Sequence, residues 1–200
     1  MARLLICAPL RIEAQAILRG LPASPSDAVV VRTGLGARRV PALDGCDTLA
    51  VAGFGGALDT ELGPGDVLVA TEVRYGDRRL PCVAAELLAG QLRRAGVRAQ
   101  TGPLITAGHL VRERERRRLS RTGARAVDME AGPLLAAADL PATVVRAIVD
   151  GPGRPVLSLA GLIAGLAARR TLRRIGPALV SWSKATGPPP AAASSWEDGF

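Results

Sequence analysis

Short aliphatic runs recur along this chain, and helical patterns separate them. Leu4-Leu5-Ile6, Val29-Val30-Val31, Thr48 to Ala52, Asp66 to Glu72, Leu104 to Ala107, Arg125 to Met129 and Thr143 to Ile148 read as strands. Runs with little polar alternation suit strands buried on both faces. Between them, Glu13 to Leu21, Cys82 to Ala95, Gly132 to Ala138, Leu157 to Arg174 and Pro177 to Lys184 read as helices. In the second of these, Val83, Leu87, Leu88 and Leu92 have core-facing spacing. The alternation predicts an α/β fold with a parallel or mixed sheet covered on both faces.

Two hundred residues can bury one substantial core, so a single domain is expected over 1–186. Residues 187–200, with three consecutive prolines and an Ala-Ser run, read as a disordered tail. Aromatic residues are only 2% of the chain, so Leu, Val, Ile and Ala must build the core. The net charge of +8 is concentrated in Arg112, Arg114, Arg116, Arg117, Arg118 and Arg121, and in Arg169, Arg170, Arg173 and Arg174. No aromatic residues interleave with them to stack bases, so they read as solvated helix faces and nucleic acid is not an expected partner. Cys7, Cys46, Cys82 and the single His109 lack metal-ligand spacing, so no metal is expected, and scattered cysteines suit a reducing compartment. The apolar run at the start is too short for a signal peptide, and Leu157 to Ala168 falls short of the roughly twenty residues of a membrane span. A cytoplasmic location is expected.

Chemistry concentrates at strand ends. Ala126-Val-Asp-Met-Glu-Ala131 and Arg146-Ala-Ile-Val-Asp150 each end an aliphatic run with carboxylates, where α/β proteins bind ligands. Two such acids suit a sugar substrate, one gripping a hydroxyl and the other handling the leaving group's proton. Thr33-Gly-Leu-Gly36 and Gly53-Phe-Gly-Gly56 read as glycine turns that a ligand could approach closely, but neither is a dinucleotide fingerprint or a P-loop. Arg11 and Glu13 open the first helix, where an Arg could hold phosphate and a carboxylate could orient water. The same residues also make an ordinary helix start.

Four motifs then occur in order: Gly53-Phe-Gly-Gly-Ala-Leu-Asp59, Gly65 to Tyr75, Val127 to Ala131 and Val145 to Asp150. Together they resemble the nucleoside phosphorylase and nucleosidase superfamily, which includes methylthioadenosine/S-adenosylhomocysteine nucleosidase. The resemblance runs from about Leu4 to Asp150. It implies a three-layer α/β sandwich around a mixed, barrel-like central sheet, the nucleoside phosphorylase fold, and cleavage of the bond between ribose and nucleobase. It implies Met129 and Glu130 against the ribose, Asp150 as the acid serving purine N7, Arg146 positioning that acid, and Glu13 activating water. Phe54, Gly55 and Leu110 would line the substrate, and Arg11 would contact phosphate. It further implies no cofactor, with inorganic phosphate as a candidate co-substrate, and a homo-oligomer, a dimer or larger.

The chain departs from nucleosidases in having Phe54 in place of a Ser, Val149 before Asp150 in place of a Ser, and His109-Leu110 where an aromatic residue stacks on the base. Its Pro9-Leu10-Arg11 resembles the phosphate-binding start of bacterial purine phosphorylases, but a second phosphate Arg near Gly53 is missing. Water and phosphate both stay open as nucleophile, and the missing Arg weights the choice toward water. The short segment between Tyr75 and Val83 and the Arg-rich aliphatic C-terminal segment resemble the hopanoid-associated phosphorylase branch, which implies adenosylhopane as substrate. Futalosine hydrolase or methylthioadenosine/S-adenosylhomocysteine nucleosidase is the alternative within the superfamily, and a non-catalytic nucleoside-binding or membrane-peripheral protein is the alternative outside it. Leu157, Leu159, Leu162, Ile163, Leu166 and Leu172 beside the four C-terminal arginines suit either packing on the sheet, which is favoured, or an anionic bilayer.

Overall fold

A computed structural model describes residues 3–22, 27–152 and 159–187, with side chains in the last stretch from 166 onward. Among these residues the elements run β1 (Leu4–Ala8), α1 (Arg11–Leu18), β2 (Ala28–Arg32), a 3₁₀ turn (Leu35–Ala37), β3 (Thr48–Ala57), β4 (Val67–Tyr75) and β5 (Arg78–Pro81). They continue with α2 (Ala85–Arg94), β6 (Ala99–Thr106), α3 (Glu113–Ser120), β7 (Ala126–Asp128), α4 (Ala131–Ala136), β8 (Ala142–Asp150) and α5 (Leu159–Thr186). The tail read from the sequence lies, from residue 188 on, outside the described residues.

The sheet is mixed and barrel-like, as expected. β3 pairs with β7 and β8, β7 with β6, β6 with β4, and β4 with β8, which closes a ring of five strands. β1 and β2 extend the sheet beyond β3, and β5 extends it beyond β4. β1, β3 and β8 run parallel, so their carboxyl ends share one edge of the barrel.

Consecutive apolar residues on these strands serve two cores. Leu4, Ile6, Ala50, Ala52, Val67, Val69, Val145 and Ala147 pack with residues of α1, α2 and α5. Their neighbours Leu5, Cys7, Leu49, Val51, Leu68, Ala70, Val144 and Ile148 pack with residues of α4. Alternate side chains of a strand point to opposite faces, so the near-continuous aliphatic runs are the signature of a sheet covered twice. Each fully buried Leu, Ile or Val contributes about 1.5–3 kcal/mol relative to an exposed one.

Several local expectations are corrected. Gly53 to Gly56 is not a turn, because β3 runs straight through it to Ala57. The glycines are there for close approach. A Cβ on Gly53 would lie 2.8 Å from both Arg146 Nη1 and Glu13 Oε1, and one on Gly56 would lie 2.5 Å from Asp150 Oδ1. β8 extends to Asp150 itself, beyond the run read as ending at Ile148. The segment after Tyr75 is a tight hairpin to β5, turning at Gly76 with φ +60° and Asp77, a conformation suited to glycine. Val83 and Leu87 are 39% and 40% exposed, because the helix begins only at Ala85 and its buried stripe is Ala85, Leu88, Ala89 and Leu92.

The two C-terminal helices read from the sequence are one, α5, which continues through Pro177. Proline removes the N–H that would serve the carbonyl four residues earlier, that of Arg173. That carbonyl faces Gly20, where a Cβ would stand 1.8 Å from the oxygen, so the relieved turn packs against bare backbone. Ala168, Leu172, Ile175, Leu179 and Trp182 of α5 are buried in the first core; of the leucines expected to pack, Leu172 does so and Leu166 is exposed. Leu157 and the side chains of Leu159, Leu162 and Ile163 lie outside the described residues. No helix among the described residues is long and apolar enough to cross a membrane.

Candidate active site

One cleft gathers residues from the ends of β1, β7 and β8, from the glycine stretch of β3, and from α3. Leu10 and Glu13, Phe54 to Gly56, Asp128 to Glu130, and Val149 and Asp150 line it, with Leu35, His109, Leu110 and Arg116 also on its walls. Of the residues singled out in the sequence, Glu13, Phe54, Gly55, Leu110, Met129, Glu130 and Asp150 therefore meet at one place. Arg11 is exposed and lines a neighbouring recess instead.

Glu13 sits in the first turn of α1 with its side chain turned back toward the sheet. It is 2% exposed, and its carboxylate accepts the backbone N–H of Leu10 at 2.6 Å and of Phe54 at 2.7 Å. Burial pushes its carboxyl up to about 7, against the two N–H donors and Arg146, which favour the charged form. A carboxylate titrating near neutrality is suited to taking a proton from water.

Arg146, on β8, is fully buried and corrects its expected place. It forms an ion pair with Asp128 and lies 3.7 Å from Glu130 Oε2, rather than holding Asp150. Spacing along the strand explains this, since residues four apart share a face but sit roughly 13 Å apart along it. Asp128 is further held by the Thr106 hydroxyl at 2.6 Å and the Ala131 N–H at 2.9 Å. Glu130 is buried and accepts the Gly36 N–H at 3.0 Å, which ties the Thr33–Gly36 turn to the cleft. Met129, between the two acids, is half-buried on the cleft wall.

Asp150 is 7% exposed, and burial raises its carboxyl above the ordinary aspartate range, with Arg116 pulling the other way. Arg116 Nη2 donates to Asp150 Oδ2 at 2.7 Å, and Nη1 donates to the Ala57 carbonyl. Reading the whole Arg112–Arg121 run as a solvated face missed this residue, which is 5% exposed. The available signal was Leu119, the one apolar residue of α3, three positions on and therefore on the same face. His109 Nε2 pairs with Glu115 Oε2 at 2.8 Å on the same rim, and Leu110 is 69% exposed there. No group of three or more His, Cys, Asp or Glu among the described residues is arranged to hold a metal ion.

The arrangement has two chemically distinct ends. Glu13 and Asp150 approach β3 at Gly53 and Gly56, three residues or roughly 10 Å of strand apart. A carboxyl with a raised pKa thus stands at each end of the glycine stretch, with Glu130 on the same cleft as a hydrogen-bond acceptor. One group can remove a proton and the other can supply one.

A family model described as the phosphorylase superfamily matches residues 23–172. Solved structures that share the fold include the 5′-methylthioadenosine/S-adenosylhomocysteine nucleosidase of Helicobacter pylori with butyl-thio-DADMe-Immucillin-A. It is 16% identical with a TM-score of 0.74, and the match covers 91% of this chain and 99% of that one. The corresponding nucleosidase of Campylobacter jejuni matches at 15% identity and a TM-score of 0.74, over 89% and 98% of the two chains. The futalosine hydrolase of H. pylori matches at 16% identity and a TM-score of 0.73, over 90% and 98%. No curated protein sequence matches.

Proposed function

The chain belongs to the phosphorylase superfamily, and on that premise we propose that it cleaves the N-glycosidic bond of an adenine nucleoside and releases the base. The observation that carries this reading is the meeting of Glu13, Glu130 and Asp150, all buried, on one cleft. Asp150 delivers a proton to the purine as the bond to the sugar breaks and its electron pair leaves with the base. Glu130 accepts a ribose hydroxyl proton, which favours the oxocarbenium-like sugar over the neutral ground state. Glu13 takes a proton from the water whose oxygen bonds to the anomeric carbon. General acid assistance of this kind is worth about 10²–10⁴-fold.

Water is the nucleophile in this reading. The Phe54 N–H is already taken by the Glu13 carboxylate and is not free for phosphate, and the second phosphate Arg near Gly53 is missing. The nucleoside carries a bulky 5′ arm. Exposed Leu35 and Leu110 on the rim suit an apolar one, and adenosylhopane in hopanoid synthesis is the substrate that the sequence resemblance favours. A homodimer without cofactor completes the reading on the same resemblance, in the cytoplasm on the scattered cysteines. The test is incubation with adenosine derivatives, with and without phosphate. Free adenine and free sugar are expected in both, whereas sugar 1-phosphate formed only with phosphate would replace hydrolysis by phosphorolysis. No adenine from any of them would overturn the reading.

A further inference from the structure

Of the polar side chains on the cleft wall, Glu13, Glu130 and Asp150 serve the proposed reaction, and Asp128 and Arg116 are paired with Arg146 and with Asp150. Among the described residues His109 is the one left without a task. It sits on a segment fixed at both ends. The Ala107 N–H donates to the Asp128 carbonyl at 2.9 Å, and Val111 is buried against Leu58, Ala124 and Val127. The imidazole Nε2 lies 2.8 Å from Glu115 Oε2, and Arg118 Nη2 stands 3.6 Å from the other carboxylate oxygen. An ionised carboxylate can only accept, so Nε2 carries the proton. In the neutral ring Nδ1 is then an acceptor, and it makes no hydrogen bond among the described residues. An exposed pair of this kind adds little to the fold. Its consequence is the tautomer.

Glu115 directly precedes Arg116 in α3, and Arg116 holds Asp150 at 2.7 Å, so the imidazole belongs to the Asp150 end of the cleft. A purine presents N7 and its 6-substituent on one edge; adenine offers an amino donor beside N7, and a 6-oxo purine offers an acceptor. A group beside Asp150 therefore meets the 6-position when Asp150 meets N7. A lone pair there accepts from an amino group and repels a carbonyl oxygen. We propose that His109, held as the Nε2–H tautomer by Glu115, reads the purine at its 6-position and selects a 6-amino over a 6-oxo base. The contact is to the edge of the base and not to its face. The proposal rests on Asp150 meeting N7 in the reading above, and it gives that reading its choice of base.

His109 is the single histidine of the chain, so NMR of protein with isotope-labelled histidine follows its two ring nitrogens directly. At mildly alkaline pH the free protein should show the proton on Nε2. Adenine should shift Nδ1 as a hydrogen-bond acceptor, and hypoxanthine should not. Calorimetric titration with the two free bases should show adenine binding about tenfold or more tightly than hypoxanthine. His109→Leu should remove that difference and bring adenine to about the affinity of hypoxanthine. Glu115→Gln, whose amide can donate to Nε2 and reverse the tautomer, should narrow it. His109 is exposed, so circular dichroism of His109→Leu should match wild type, which separates lost binding from lost fold. Equal affinity for the two bases in wild type, a preference that His109→Leu leaves intact, or a proton on Nδ1 in the adenine complex would overturn the proposal. A His109-dependent preference in a protein that releases no adenine from any nucleoside would leave it standing and count only against the catalytic reading. Adenine release together with equal binding of the two bases would do the reverse.

Discussion

Two arginines serve the carboxylates at the two ends of the glycine stretch of β3, and they are held in different ways. Arg146 lies inside the barrel with Asp128, Glu130 and Glu13 around it, and Asp128 is fixed in turn by Thr106 and the start of α4. Arg116 reaches Asp150 from α3, an eight-residue helix with six charged residues and a single apolar one. The first group is determined from several elements at once, and removing any member leaves buried charge behind. The second hangs from a helix with little apolar anchorage, where a neighbouring substitution can move the arginine without disturbing the barrel. In the proposed reading, a site built this way keeps the sugar end rigid and leaves the end that handles the leaving group adjustable.

The largest expected effect is therefore at Arg146. Arg146→Met leaves Asp128 and Glu130 without their buried cation and should cost about 3–5 kcal/mol, read as a lowered midpoint in urea. A midpoint close to wild type would mean that the inner cluster is not the rigid half of the comparison.

Glu13 comes next, through pH. Its carboxyl titrates at about 7 in the fold against an ordinary 4.5, so the folded state favours its protonated form. The stability this gives is present in full below about 4.5 and is lost as pH rises through 7, amounting to about 3 kcal/mol by linkage. Glu13→Gln should flatten the fall in stability between pH 5 and pH 8 that wild type shows. Parallel stability curves for the two proteins would contradict it.

Arg116→Gln should have the smallest effect on the fold, about 1–3 kcal/mol, because Asp150 can take up its raised-pKa protonated form once the guanidinium is gone. With the favouring charge removed, the Asp150 carboxyl should titrate higher still, visible by NMR of the labelled aspartate. Destabilisation equal to that of Arg146→Met, or a carboxyl that titrates lower, would erase the difference between the two ends.

The same contrast explains what the sequence made legible. The rigid half is written in the aliphatic runs: β1, β7 and β8, legible as the runs at Leu4, Arg125 and Thr143, lead to Glu13, Glu130 and Asp150 on one cleft. Periodicity reports burial, and the strands are buried on both faces. The adjustable half carries no such signal. Arg116 hides in a run of like charges because one buried guanidinium does not change helical spacing, and only Leu119 marks its face. Gly53 to Gly56 looked like a turn because glycine signals either a turn or a close approach, and only the positions of Glu13, Arg146 and Asp150 decide between them. The join at Pro177 was illegible for the same reason, since its tolerance depends on Gly20 in a distant helix–loop junction.

The account depends most on Asp150 as the group that protonates the departing base, and the decisive measurement is adenine release by Asp150→Asn beside wild type, with nucleoside binding measured on both. The variant should bind its substrate with near-wild-type affinity and release adenine about 10²–10⁴-fold more slowly, because an amide cannot supply the proton. Adenine release by the variant at the wild-type rate would contradict it.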